Sequence, residues 1–518
     1  MHSFIHSFMA FVFLGLFAVS AHAATIVVNT GDADGSGVDA ADDSHHCTLS
    51  EALHGLADGG DAHGCANSSS DTYGTNDTIH FDTSVSTVQV SEDISIVPPH
   101  NITIDGVSRD VGMFFSGSGR FVFDRSPTPV AITLKNITFS GTSSASILNS
   151  YHNLAINHCQ FSGLNTSSYI IYVYSAAVSI SDSYFTNNTS IGSVTVEEES
   201  VGQTTNVLRT TFYNNTNNAL TGPTGGAIFV INGALNLINS TFWGNSSFGI
   251  GGAVRIVGTS TIHNTLTINN STIYANKADI GTGSSSTIDI SAMPEGGGIE
   301  VGTGSQLIVS NSIIYGNTRG APDNLYYDDC LVESDATADA TRSTNNILFT
   351  ISGCRINESS NHISSSFGLT SYNSIDHVAY LNPATTPLAI DAGNDSTCAT
   401  EDQVHTHRPS GAHCDIGAIE YVYPAGTGGS GGGASGTGGG ASGTGGATPT
   451  GGSGGGSAGS GGATPTGGSG GGSAGSGGSG TGGAGTGGGP SGSGGDTGDP
   501  AGDHSTDGGG GGGCSLIR

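Results

Sequence analysis

Lysine is nearly absent from this chain. Lys135 and Lys277 are the only two, and Lys and Arg together number 12 against 42 Asp and Glu, for a net charge of −30. Neutralising phosphates takes clustered Lys and Arg, so nucleic acid is excluded as a partner, and a cation is the natural counterpart of such a surface. The first 23 residues carry no charge. Their apolar stretch, Phe4 to Val19, is too short to span a bilayer comfortably and is followed by Ala21-His22-Ala23, which reads as a secretory signal cleaved after Ala23. His2 and His6 stand where such signals carry Lys or Arg, so a retained N-terminal anchor stays open as the alternative.

Helical periodicity is also missing. The central segments are rich in Thr, Ile, Val and Asn and are broken by Gly225-Gly226, Gly251-Gly252 and Gly297-Gly298. From about Ala425 the composition collapses to Gly, Ser, Ala and Thr, and Gly445 to Ser460 recurs residue for residue as Gly461 to Ser476. This predicts a disordered, flexible tail of about 90 residues with a coil reach of about 50 Å. The tail's only charges are Asp496, Asp499, Asp503, Asp507 and Arg518, so the acidity belongs to the folded part.

What the middle of the chain does have is a repeat. With Phe139, Phe161, Phe185, Phe212, Phe242, Ile273 and Ile314 in one column, the spacings are 22, 24, 27, 30, 31 and 41 residues. A period in this range signals a solenoid. Five residues earlier stand Leu134, Ile156, Ile180, Val207, Leu237, Ile268 and Val309; seven earlier stand Ile132, Leu154, Val178, Thr205, Leu235, Leu266 and Leu307. Two aliphatic residues two apart mark one face of a strand, and the gap of five to the next large residue demands a bend. The bend column is Asn136, His158, Asp182, Arg209, Asn239, Asn270 and Asn311. Asn tolerates left-handed backbone and can stack into hydrogen-bonded ladders. A second corner is expected at Asn188, Asn215, Asn245, Asn276 and Asn317. With less regular rungs at Ile94 to Ile96, Ile102 to Gly106 and Asn346 to Phe349, about ten rungs at roughly 4.8 Å make a rod near 50 Å long. The expected fold class is all-β, a right-handed parallel β-helix with one short capping helix.

Gly225 to Ile228 (Gly-Gly-Ala-Ile) and Phe242 to Asn245 (Phe-x-x-Asn) resemble the paired motifs of polymorphic outer membrane protein repeats, a right-handed β-helix family. Cys47 to Leu53, with Thr48 and Glu51 at capping-box spacing, resembles the CSLREA domain, and Asp77 to Phe81 fits its following strand; Ser50 replaces the family's Arg. Ala389 to Gly393, Asp402-Gln403, Arg408-Pro409 and Cys414 to Glu420 resemble the choice-of-anchor Q domain, with Val404-His405 where that family has Arg-Gly. These resemblances imply a surface-exposed or secreted protein with an interchangeable anchoring end. Together with the leader and the low-complexity end, they divide the chain into a signal (1–23), an N-terminal cap (24–93), the β-helix (94–375), a C-terminal cap (376–423) and the tail (424–518).

An exported chain meets an oxidising space, so the expected disulfides are local: Cys47 with Cys65, Cys330 with Cys354 and Cys398 with Cys414. Cys159 falls in a column otherwise held by Ile137, Ser183, Thr210, Ser240, Ser271 and Ser312 and reads as an inward packing residue. Cys514 follows six glycines and precedes Ser515-Leu516-Ile517-Arg518. That ending is similar to bacterial C-terminal sorting signals, which makes Cys514 the anchoring candidate and the only expected route to a membrane. The apolar helix those signals require is missing, so a truncated end, an intermolecular disulfide through Cys514 or an ending without a role are the alternatives. A prenylation box is excluded because Cys514 is fifth from the end.

Candidate chemistry is sparse. Asp32, Asp34, Ser36 and Asp43 fall at ligand positions of a twelve-residue calcium loop with Gly37 at its turn, although a solvated acidic loop accounts for the same residues. No other cofactor is expected. His45, His46, His54 and His63 form a second metal candidate. Catalytic carboxylates on one groove would be needed by a polysaccharide lyase or glycoside hydrolase, the alternative function. Glu197 to Glu199 and Asp328-Asp329 are the available acids, and both read as solvated loop charge; Arg209 and Arg255 lie in rungs with no expected acidic column. The leading expectation is an exported binding, adhesion or structural module, with a glycan or another cell-surface ligand as partner.

Overall fold

The computed structural model describes residues 23–31, 46–59, 65, 67–69, 73–74, 76–107, 111–197, 202–218, 225–259, 264–278, 296–320, 325–369 and 372–423, all within one compact unit. The calcium-loop residues Asp32, Asp34, Ser36 and Asp43 lie outside the described residues, as do His45, His63, Glu198, Glu199 and Cys514.

The rungs of this parallel β-helix form three faces, the middle one made of two short strands, as in Asn153–Asn157, then Gln160–Ser162 with Asn165–Thr166, then Tyr169–Tyr174. The first face is an eleven-stranded sheet from Thr25–Val28 to Thr337–Ala338, and the third is nine-stranded, from Asp93–Ile96 to Cys330–Val332. The second face lies between them and carries the aromatic column. The aliphatic columns stack in register on the first face: Leu134, Ile156, Ile180, Val207, Leu237, Ile268 and Val309 pair in succession, and all are buried. The expected columns are thus the hydrophobic core.

The bend column adopts left-handed backbone throughout, with φ of 55, 51, 51, 47, 49, 46 and 49° from Asn136 to Asn311. Beyond it, Phe139, Phe161, Phe185, Phe212 and Phe242 stack with centroid separations of 4.4, 4.5, 4.6 and 4.8 Å and interplanar angles of 10° or less. Strand spacing imposes this near-parallel geometry, and each buried ring contributes on the order of 1.5–3 kcal/mol.

The Asn ladder forms at the second corner instead of the first. Asn188 Nδ2 donates to Asn215 Oδ1 (2.8 Å), Asn215 to Asn245 (2.8 Å), Asn245 to Asn276 (2.9 Å) and Asn276 to Asn317 (2.9 Å). Each amide also donates to a carbonyl, as Asn245 Nδ2 does to Phe212 O at 2.9 Å. Backbone conformation explains the difference. At the second corner the left-handed residue is the one before the Asn (Asn187, Asn214, Gly244, Ala275, Gly316), which leaves the Asn side chain inside. Cys159 is buried as expected, and its column forms a second ladder in which Ser240, Ser271 and Ser312 hydroxyls each accept the backbone N–H of the preceding rung.

The N-terminal end is closed by helix α1 (Leu49–Asp58), whose capping box joins Thr48 and Glu51 and whose Leu49, Leu53 and Leu56 pack into the core. The edge of strand Thr25–Val28 is covered by Asn67, which bridges Ile26 antiparallel and accepts from Thr25 N at 3.2 Å. The C-terminal segment does not cap the opposite end. Residues 372–423 form a strap along the second face: Thr241 Oγ1 donates to Gln403 Oε1 (2.6 Å), Gln403 Nε2 donates to Thr211 Oγ1 (2.7 Å), and the rings of Tyr213 and Tyr372 stack at 3.8 Å. The left-handed Asn side chains supply the reason. Asn239 and Asn311 point outward and donate to Glu401 O and Thr397 Oγ1 of the strap.

Candidate functional site

All three expected disulfides are formed, Cys47–Cys65, Cys330–Cys354 and Cys398–Cys414, with Cα separations of 4.7, 5.1 and 6.6 Å. They place the folded chain in an oxidising environment. Several other sequence candidates among the described residues make contacts that hold the fold together. Asp329 is fully buried, so the solvated-loop reading fails for it. Its Oδ1 accepts from Asn317 N (3.1 Å) and Nδ2 (3.2 Å), and its Oδ2 from Phe349 N (2.6 Å) and Thr350 N (3.0 Å). Burial raises its pKa to about 7, against the N–H donors that favour the carboxylate. Asp328 pairs with Arg319 at 3.0 Å. The rung arginines do have acids beside them: Arg209 is bidentate to Asp182, and Arg255 pairs with buried Glu300 one rung on. Spacing hid these partners because rung lengths differ, so residues 27 and 45 positions apart become neighbours. Glu197 accepts from Tyr172 OH at 2.7 Å, and His54 Nδ1 lies 2.8 Å from Ser50 O. Among the described residues, no group of three or more His, Cys, Asp or Glu is arranged to hold a metal.

The strap is itself organised by the residues of the C-terminal motif. Buried Arg408 donates to Asp415 O (2.9 Å), Glu420 Oε2 (2.9 Å) and Gly417 O (2.8 Å). Glu420 Oε2 accepts from Asp415 N at 2.9 Å, and Asp402 Oδ2 accepts from Glu420 N at 2.9 Å. Burial of Arg408 lowers its pKa, opposed by Glu420 and Asp402. These motif residues hold a fold, which gives Gln403 and the neighbouring loop a fixed position over the rungs.

Where that loop overhangs the bend column a cavity of about 520 Å³ opens. Its wall carries His158, Asp182, Tyr184 and Arg209 from three rungs, and its roof Asp376 and His405 from the strap. Arg209 Nε and Nη2 lie 2.6 and 3.0 Å from the two oxygens of Asp182. Asp182 thus raises the pKa of Arg209 and is held as a clamp. His405 Nε2 stands 3.4 Å from Asp182 Oδ1, and its Nδ1 stands 3.3 Å from Glu401 Oε2. Asp376 Oδ2 accepts from Asn373 Nδ2 (2.7 Å) and Tyr380 OH (2.9 Å). The Tyr184 ring packs 4.3 Å from that of His377. Burial, then Asp182 and Asp376, raise the pKa of Tyr184, while burial lowers that of His377. Ile375, at the tip of the strap's turn, is 85% exposed beside the opening.

This is a part-polar pocket with one aromatic face, the Arg209 guanidinium as donor, and acceptors on Asp182 and Asp376. Such a set can hydrogen-bond a polyhydroxyl ligand, and its excess of carboxylates opposes an anion. Of these residues the sequence pointed to Asp182 and Arg209 through the bend column and to Gln403 through the C-terminal motif. Tyr184, Asp376 and His377 were missed because the strap's path over the wall leaves no local signal.

No family model matches the chain, and no curated protein or solved structure is significantly similar to it.

Proposed function

We propose that this β-helix is exported and works at or outside the cell surface as a binding or adhesion module whose partner is a glycan or another cell-surface ligand. The observation that carries the reading is the cavity between strap and rungs: accessible, polar on part of its lining, aromatic on one side, and built on a scaffold in which acids outside it such as Asp329 and Glu300 hold rungs together. The three disulfides support an extracellular working place. The resemblances to CSLREA and choice-of-anchor Q segments support a surface role, with Cys514 as the proposed anchoring residue and Asp32, Asp34, Ser36 and Asp43 as a proposed calcium loop. Among the described residues no helix is long and apolar enough to cross a membrane.

Cell fractionation with mass spectrometry of the terminal peptides, joined to a glycan array, tests this reading. An extracellular or surface-bound chain that retains glycan supports it; a cytoplasmic chain that binds none contradicts it. The glycoside-cleaving alternative is favoured by one fact, that Asp182 and Asp376 line the same cavity. Release of reducing sugar from a polysaccharide, lost on Asp376→Asn, would establish it.

A further inference from the structure

Away from the cavity, the outer side of the third face carries a cluster of tyrosines on two consecutive rungs, flanked by Glu197 on the next. Strand Leu148–Ser150 pairs with Tyr169–Tyr174, which pairs with Gly192–Glu197. Register puts Asn149, Tyr172 and Thr195 in one row and Tyr174 beside Glu197. Alternation on a strand sends Tyr172 and Tyr174 outward while Ile171 and Val173 fill the core. Tyr169 and Tyr172 stack with centroids 5.2 Å apart at 21°. Tyr151 and Tyr174 lie 5.8 Å apart, with the Arg125 guanidinium 5.1 and 4.9 Å from their ring centres. All four tyrosines are partly exposed.

Two observations point from this cluster to a ligand. The first is that the rings are fixed: Tyr172 OH is held by Glu197 Oε2 at 2.7 Å, and Tyr174 is held by Arg125. Rigid, amphipathic rings bind at low entropic cost. The second is that the row crossing Tyr172 contains polar atoms without a hydrogen-bond partner, Asn149 Oδ1 and Thr195 Oγ1; Thr195 is 2% exposed. Buried polar groups are normally satisfied, so these are sites for a ligand hydroxyl or a bridging water.

We propose that this strip, bounded by Tyr151, Tyr169, Tyr172 and Tyr174, binds a neutral polysaccharide, stacking sugar rings on the tyrosines. Rungs stand about 4.8 Å apart, so the strip offers an extended chain several aligned contacts. Charge selects the ligand class, because the chain's net charge of −30 and Glu197 at the centre of the strip repel uronate-rich or sulfated polymers. This rests on the glycan-binding reading above and adds the ligand's charge class and a second address.

The test is affinity electrophoresis of the full chain in gels containing neutral glucan, mannan or xylan, with polygalacturonate as the charged comparison. Wild type is expected to be retarded by at least one neutral polymer and not by polygalacturonate. Tyr151→Ala and Tyr174→Ala are expected to weaken retardation about tenfold, the loss of one stacking contact, while Tyr174→Phe retains it. If Asp376→Asn in the cavity abolishes neutral-glycan binding and the Tyr→Ala chains bind as wild type, the strip is overturned and the glycan reading stands. Failure of wild type to bind any neutral polymer, or preference for polygalacturonate, overturns the proposal outright. Should a Tyr→Ala chain not fold, hydroxyl-radical footprinting of wild type decides: bound glycan protects Tyr151 and Tyr174, and unchanged labelling overturns the strip.

Discussion

Asp329 ends the ladder that Asn317 brings to it. Asn317 donates to Asp329 Oδ1 through both its backbone N and its Nδ2, at 3.1 and 3.2 Å, as each earlier Asn does to the next Asn's Oδ1. An Asn in the terminal position would accept on one oxygen only and turn its NH2 toward the N–H groups of Phe349 and Thr350, which Asp329 Oδ2 accepts at 2.6 and 3.0 Å. Asp329→Asn should therefore destabilise the chain by about 1–3 kcal/mol despite its identical shape. Chemical denaturation at pH 8, where the carboxyl is ionised, checks this; an unchanged midpoint would show that the ladder's end is not held by charge.

Within the ladder, Asn245 donates to Phe212 O and Asn276 Oδ1 and accepts from Asn215. Asn245→Ala leaves buried groups on both neighbouring rungs unpaired, and the expected cost is again about 1–3 kcal/mol for each orphaned group. Phe212→Ala, in the centre of the ring stack, should cost about 3–5 kcal/mol, and Phe212→Leu distinctly less. Thermal denaturation of the three variants ranks them.

The strap is pinned to the wall by Gln403 between Thr211 and Thr241. Gln403→Ala should raise amide exchange across residues 372–423 while leaving the rung strands protected. Uniform loss of protection would mean that the strap and rungs unfold as one.

Cleavage after Ala23 would turn the Ala24 nitrogen into an ammonium. That nitrogen is buried and lies 2.7 Å from Asp77 Oδ1, and Asp77 Oδ2 lies 2.7 Å from His100 Nε2. In the processed chain Asp77→Asn should then cost about 3–5 kcal/mol, as for a buried ion pair that loses one partner, and appreciably less in a chain that keeps its leader. Denaturation of the two forms side by side separates them.

One exposed pair sets a pH dependence. His413 Nδ1 stands 2.8 Å from Asp395 Oδ2, which raises the His413 pKa above 6.5. A raised folded-state pKa means that the pair's contribution is complete below the unfolded value and is lost as pH rises through the folded one. NMR titration should place the His413 midpoint above 6.5 and return it toward that value in Asp395→Asn.

The rungs were legible in the sequence because a solenoid repeats its core in sequence order. The aliphatic columns, the Phe column and the left-handed bend all lie where the alignment puts them, and the capping box of α1 and the three disulfides follow from local spacing. What was not legible depends on contacts across rungs of unequal length. The same acid can be solvated or buried, as Asp329 is, according to the loop that brings it under the ladder. Arg209 finds Asp182 only when the rungs stack. The strap's course was hidden for a related reason, since outward Asn239 and Asn311 look in sequence like ladder residues and act in the structure as its attachment points.

The most direct test of a binding module is to incubate the purified full chain with a glycan panel while assaying both retention and new reducing ends. Saturable retention without product release is the expected result. Release of oligosaccharides, or retention of no glycan at all, would contradict it.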